Sequence, residues 1–249
     1  MRVAWVIGAA VIAALGWGVF KVAMPAASRI QYLTEQWRIC SAFGDDARAQ
    51  AGACTAIIAS NGPPLDRARA FDFRGQAHMR LNEAPDAIAD YGRSITLNPD
   101  YYGVYYNRGA AYMRGEDYAH AIADLDAGLR LAPNTPGMLN EACWARAVSG
   151  SDLDGAARLC DQAITLAPNN ASYLDSLGLV RFKQGRFAEA LANYEAAIVI
   201  HPNYAHYIYG RAISLKGLGR DADADAAFAA ALQIDAAIDD TYASYGVAR

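Results

Sequence analysis

Residues 102–135 read YGVYYNRGAAYMRGEDYAHAIADLDAGLRLAPNT, and residues 171–204 read ASYLDSLGLVRFKQGRFAEALANYEAAIVIHPNY. Laid over one another, they share a glycine at Gly109 and Gly178 and an alanine at Ala121 and Ala190. They also share a bulky side chain at Leu125 and Tyr194, a small one at Gly128 and Ala197, and a proline at Pro133 and Pro202. The pattern runs on in both directions. Pro99, Pro133, Pro168 and Pro202 are separated by 34, 35 and 34 residues. Ala87, Ala121, Ala156, Ala190 and Ala224 keep this step, as do Tyr91, Leu125, Cys160, Tyr194 and Phe228. A third column holds Ser94, Gly128, Ala163, Ala197 and Ala231, and Gly75, Gly109 and Gly178 recur in the first half of the unit.

A fixed period of this length decides the fold. The alanine, bulky and small columns stand at i, i+4 and i+7, on one face of a helix. Small residues let a neighbouring helix approach, large ones fill the space between helices, and the proline stops the helix before it. Turn-like stretches, Arg114-Gly115-Glu116-Asp117 and Gln184-Gly185-Arg186, split each unit into two helices. Such a hairpin buries its apolar face only against the next, so the expected fold is all-α, a solenoid of stacked hairpins. Five units are assigned at 68–101, 102–135, 136–170, 171–204 and 205–238, the middle one carrying one extra residue. Residues 29–67 read as a degenerate hairpin and linker, and 239–249 as a capping helix or tail over the last unit.

Tyr105-x2-Arg108-Gly109-x2-Tyr112 with Ala121, Leu125, Gly128 and Pro133 resembles the tetratricopeptide repeat family. Leu174-x2-Leu177-Gly178 with Ala190, Tyr194, Ala197 and Pro202 follows the same pattern, although Arg181 stands where an aromatic is usual. The resemblance implies a right-handed superhelix whose first helices line a concave groove that receives a peptide or helix of a protein partner. It places unit positions 2, 5, 9, 12 and 13 in that groove. The implied partner-binding residues are Arg69, Gln76, Met79, Arg80, Tyr106, Met113, Arg114, Asp175, Leu179, Phe182, Lys183 and Tyr209. Asp72, Ser172, His206 and Ile213 fall on the same positions; the middle unit is left out because its extra residue blurs the register. With Arg80, Arg114 and Lys183 beside Met, Phe and Tyr, an acidic and apolar segment is the expected ligand. The Lys and Asn clamp of chaperone-binding members is largely missing.

Residues 3–20, VAWVIGAAVIAALGWGVF, carry no charge. As a helix they extend about 27 Å, close to the hydrocarbon thickness of a bilayer. The apolar run resumes after Lys21 to Met24, so residues 3–24 are expected to meet the membrane, with 1–28 as a signal-anchor or transmembrane helix. Cleavage near Ala26-Ala27-Ser28, giving a soluble exported protein, is the competing reading.

Cys40 and Cys54 stand 14 residues apart, and Cys143 and Cys160 stand 17 apart, with no C-x-x-C motif. Cys160 occupies the bulky column of its second helix, and Cys143 lies near the small position of the first helix that faces it. The antiparallel hairpin brings such positions within disulfide reach, so Cys40–Cys54 and Cys143–Cys160 are expected to pair, four free thiols being the alternative. Disulfides together with an export signal point to a periplasmic or other extracytoplasmic compartment.

The chain has 249 residues, of which 54% are hydrophobic, enough to exclude wholesale disorder. A net charge of -4 argues against nucleic acid as a partner, since its binders usually need a basic face. His78, His120, His201 and His206 form no metal motif, and Asp221, Asp223 and Asp225 lack the Gly and Glu of a calcium loop. No catalytic, metal or cofactor-binding set is legible, and no small-molecule pocket is expected. The Ala89-Asp90 and Ala123-Asp124 pairs read as surface positions. The expected function is that of a non-enzymatic scaffold or adaptor of the cell envelope, membrane-anchored with its repeats outside the cytoplasm. An accessory subunit of a membrane complex, in contact through its N-terminal helix, is the second possibility.

Overall fold

The computed structural model describes residues 25–42, 44–247 and 249. Among the described residues there are 13 helices and no strand. They pair in chain order as hairpins: α1 (Ala26–Cys40) with α2 (Ala47–Ala59), α3 (Pro64–Arg80) with α4 (Ala84–Leu97), and α5 (Tyr102–Arg114) with α6 (Tyr118–Leu131). Then come α7 (Pro136–Ser149) with α8 (Leu153–Leu166), α9 (Ala171–Lys183) with α10 (Phe187–Ile200), and α11 (Ala205–Gly217) with α12 (Asp221–Ile234). A short α13 (Ile238–Ser244) follows. The expected membrane segment 3–24 lies outside the described residues. No described helix is long and apolar enough to cross a membrane.

The turn inside each repeat is made the same way. One residue takes a left-handed backbone, at Asn82, Glu116, Gly150, Gly185 and Gly219. The next amide closes back on the first helix, as in Glu83 N–H to His78 O (2.9 Å), Asp117 to Tyr112 (3.0 Å) and Arg186 to Arg181 (2.8 Å). The middle unit's extra residue sits in this turn, where both Gly150 and Asp152 have positive φ. Its first helix therefore keeps the register of the others. At the far end of each second helix the residue before proline is extended, with φ from -147° at Asn98 to -132° at His201. Asp235 does the same at φ -140° with Ala236 in place of proline.

The columns of the sequence are the core. Ala87, Ala121, Ala156, Ala190 and Ala224 are buried, as are Tyr91, Leu125, Cys160, Tyr194 and Phe228. Each bulky residue presses on the small one facing it: a Cβ on Gly75 would lie 2.6 Å from Tyr91, and one on Gly178 2.9 Å from Tyr194. Cys143 occupies this glycine position in the third repeat, so there the Gly–Tyr contact is replaced by a covalent bond. The Cys143–Cys160 disulfide has Cα atoms 5.6 Å apart, and Cys40–Cys54 joins α1 to α2 with Cα atoms 4.8 Å apart. No described cysteine is free.

Asp90 and Asp124, read from the sequence as surface positions, are buried. Arg74 Nε and Nη2 donate to Asp90 at 2.6 and 2.7 Å, and Arg108 grips Asp124 in the same forked way at 2.7 Å. These pairs lock first helix to second, and their planar geometry is what arginine and carboxylate do best.

Candidate functional site: the concave face

First helices pack on the first helices of neighbouring hairpins, from α1 on α3 through α9 on α11, whereas no second helix touches the next second helix among the described residues. The stack therefore curves with α3, α5, α7, α9 and α11 on its inner side.

The twelve expected groove residues divide sharply. Arg80 and Arg114, both exposed, and the half-buried Lys183 keep their charge at the groove while each also donates to a carbonyl of the preceding repeat. Arg80 donates to Gly44 O and Gln50 Oε1 of the preceding hairpin. Arg114 Nη1 donates to Met79 O at 3.0 Å, and Lys183 Nζ to Val148 O at 2.9 Å. In Arg114 and Lys183 one repeat position supplies a cation at the carbonyl end of the previous first helix, whereas Arg80 at that position reaches the α1–α2 loop and α2. Burial also pushes the Lys183 ammonium down from its ordinary pKa. Leu179 and Tyr209 are core residues, each 1% exposed. Phe182 packs tilted on Phe187 with ring centroids 5.5 Å apart.

The others remain at the surface of the face. Arg69 is exposed and lies over the Trp37 ring, 5.5 Å from its centroid. Gln76 and Met79 are half-buried, Met79 leaning on the Tyr91 cluster. Tyr106 and Met113 are half-buried against Leu125 and Met138. Burial raises the Tyr106 phenol, with Glu141 and Tyr173 nearby adding to the effect.

The intact register of α7 adds residues that the sequence reading left out. Asn140 continues the column Asp72, Tyr106, Asp175, Tyr209, and Trp144 continues that of Gln76. The Oδ1 of Asn140 is buried with no hydrogen-bond partner. Glu141 follows it, half-buried. The clue was Cys143, which stands 34 residues after Gly109 and so fixes the frame.

Three acidic groups lie on this floor among the cations. Asp72 is 3% exposed, and its carboxyl is raised by burial, partly offset by hydrogen bonds from Gln76 and from Asn107 Nδ2 at 2.8 Å. Burial alone raises Glu141, and burial pushes Asp175 up to about 7. None of the three has an ion-pair partner among the described residues. A desolvated carboxylate with no counter-charge raises the affinity of its surroundings for a cation.

Elsewhere, His78, Glu83 and Asp86 gather at the turn between α3 and α4, with ligand-type atoms within 4.8 Å of one another. The ring Nδ1 of His78 lies 2.7 Å from Glu83, and its Nε2 lies 3.7 Å from the Asp90 already held by Arg74. The arrangement joins the two helices of one hairpin. His120 stacks on Tyr112 (5.1 Å between centroids), and His206 on Tyr204 (5.2 Å), so both serve as packing groups.

Family profiles described as "TPR repeat" match residues 75–115 and 178–219, and one described as "Tetratricopeptide repeat" matches residues 102–135. No curated protein matches the chain in sequence. Among solved structures, a tetratricopeptide repeat protein from Parabacteroides merdae is similar with a TM-score of 0.69 at 16% identity, over 79% of this chain and 77% of that one. The MamA protein is similar with a TM-score of 0.59 at 21% identity, over 73% and 97% of the two chains. YrrB, described as a TPR protein with an unusual peptide-binding site, is similar with a TM-score of 0.61 at 20% identity, over 74% and 93%. The hairpins within residues 75–135 and 178–219 match tetratricopeptide repeat profiles, and the whole all-helical solenoid has the fold of such repeat structures.

Proposed function

We propose that the protein is a non-enzymatic scaffold that holds a segment of a protein partner along its concave face, over α3, α5 and α7. Tetratricopeptide repeats mediate protein–protein interactions, and the inner face here carries half-buried Tyr106, Met79 and Met113, side chains typical of interfaces. The observation that carries the reading is the lining of this face, where half-buried Tyr106, Met79 and Met113 stand beside Glu141, a carboxyl with no ion-pair partner among the described residues. Arg80, Arg114 and Lys183 donate to backbone carbonyls but keep their charge, so the acidic and apolar segment expected from the sequence stays compatible with the face. Glu141 adds a seat for a Lys or Arg of the partner among its apolar residues.

Two disulfides support placement in an oxidising, extracytoplasmic compartment. An anchor formed by residues 3–24 would hold the repeats at a membrane surface, and a cleaved, soluble form accounts equally for the disulfides. Co-purification from solubilised native membranes tests the partner's character. Glu141→Gln is expected to lower recovery of the partner about tenfold, the scale of one charge-assisted contact. Undiminished recovery with that variant refutes the cationic reading.

A further inference from the structure

One repeat after α11 begins, the pattern calls for a sixth first helix starting at residue 239. What forms is α13, with 7 residues instead of the 13 of α11. It ends early because Gly246 takes φ 72° and the Val247 amide closes back on Tyr242 O at 3.0 Å. This is the same turn that ends each full-length first helix, reached about two helical turns sooner.

Shortened in this way, the segment leans into the concave face. Tyr242 lies on Tyr209 with ring centroids 4.3 Å apart, and its hydroxyl donates to His206 O at 2.8 Å. Tyr245 meets Trp144 of α7 edge-on at 5.0 Å, a side chain about a hundred residues earlier in the chain. Val247 is 3% exposed and joins the core formed by α7, α9 and α11. His206, Tyr209 and Trp144 hold groove positions 2, 5 and 9 of their repeats. Asp175, at position 5 of α9, is overlaid by Tyr242 and Tyr245, which both feel its charge. The inner face of three repeats is thus covered by one helical turn bearing aromatic side chains at i and i+3, followed by Gly-Val.

We propose that residues 238–247 are a replaceable ligand bound in cis, and that the partner for this part of the groove is a short helix with aromatic side chains at i and i+3 that takes the same seat. The contacts seen are those an incoming segment would make: a ring on Tyr209, a second ring against Trp144, and a hydroxyl to the His206 carbonyl. Tethering gives the cis segment an effective concentration of about millimolar, so a free segment with the same contacts competes poorly until the tether's grip is weakened. The inference rests on the concave face being a binding surface, but its test needs no native partner, so each can fail without the other.

The probe is a fluorescein-labelled peptide of residues 237–249, AIDDTYASYGVAR, followed by anisotropy. The full chain carrying Tyr242→Ala and Tyr245→Ala is expected to bind it at least tenfold more tightly than the unaltered chain, and a peptide with both tyrosines replaced by alanine should bind neither. A variant that keeps its helical circular dichroism yet binds no better than the unaltered chain overturns the proposal. Should the variant lose its helicity, amide exchange of the unaltered chain decides. The Val247 amide is expected to exchange at least tenfold faster than the amides of Ala212 and Ile213 in α11. Equal rates would make the segment a fixed part of the core and overturn the proposal.

Discussion

Replacing Asp175 by asparagine should stabilise the protein, and only where a carboxylate would be charged. Asp175 lies among Tyr194 of α10, Tyr207 of α11, and Tyr242 and Tyr245 of α13, all of which sense its charge, with no cation opposite. Burial pushes its pKa to about 7 from the ordinary 3.8. The sign follows from proton binding. Below about pH 4 the carboxyl is protonated both folded and unfolded and contributes nothing. Between 3.8 and 7 the unfolded chain ionises while the folded one holds its proton, so stability falls as pH rises; above 7 both are ionised and the loss is constant. Linkage sets a ceiling of about 4 kcal/mol on that loss. Partial exposure of Asp175 and relaxation around it bring the expected gain for Asp175→Asn to about 1–3 kcal/mol at pH 8. Urea unfolding followed by circular dichroism at pH 4, 6 and 8 measures it. The two proteins should unfold together at pH 4 and separate progressively to pH 8, the variant being the more stable. A constant difference across that range, or a less stable variant at pH 8, refutes the reasoning.

Reducing the disulfides should cost about 3 kcal/mol for each closed loop of this size, seen as an earlier urea midpoint in reductant that a double Cys143→Ser, Cys160→Ser variant partly reproduces. Gly210→Ala places a Cβ 2.1 Å from the buried Tyr194 ring, so it should destabilise by about 1–3 kcal/mol despite alanine's better helix propensity, and Gly52→Ala, with open space around it, should not. Arg108→Ala leaves Asp124 buried without its partner and should cost about 2–4 kcal/mol by the same melts, most of it recovered by a second change, Asp124→Ala.

Fold and site were not equally legible. The period of small and bulky columns set out the hairpins because those residues make the repeat's own core, where one pattern has one packing solution. Cys143 and Cys160 were legible as a pair for the same reason, since both stand in columns that face each other. The reach of the charged side chains was not legible. Arg80, Arg114 and Lys183 lie on the side of the helix that faces the groove, but each is long enough to bend back to a carbonyl of the previous repeat. Asp90 and Asp124 sit beside alanines on second helices, and only the matching arginine 16 residues earlier, Arg74 or Arg108, betrays that they are buried. The covering of Asp175 and Tyr209 by residues 238–247 could not be read from columns at all, because α13 departs from the repeat at the point where Gly246 ends it. Asn140 and Trp144 were within reach once the extra residue was assigned to the turn.

The claim on which the rest depends is that the inner face of the stack is the working surface. A photoreactive side chain introduced at Tyr106 on that face, and in a separate protein at Val199, 82% exposed on α10, tests it in cells of the native source. Whether or not the protein is membrane-bound there, the account predicts a discrete protein adduct from position 106 and none from position 199. The same adduct from position 199, or none from position 106, would contradict it.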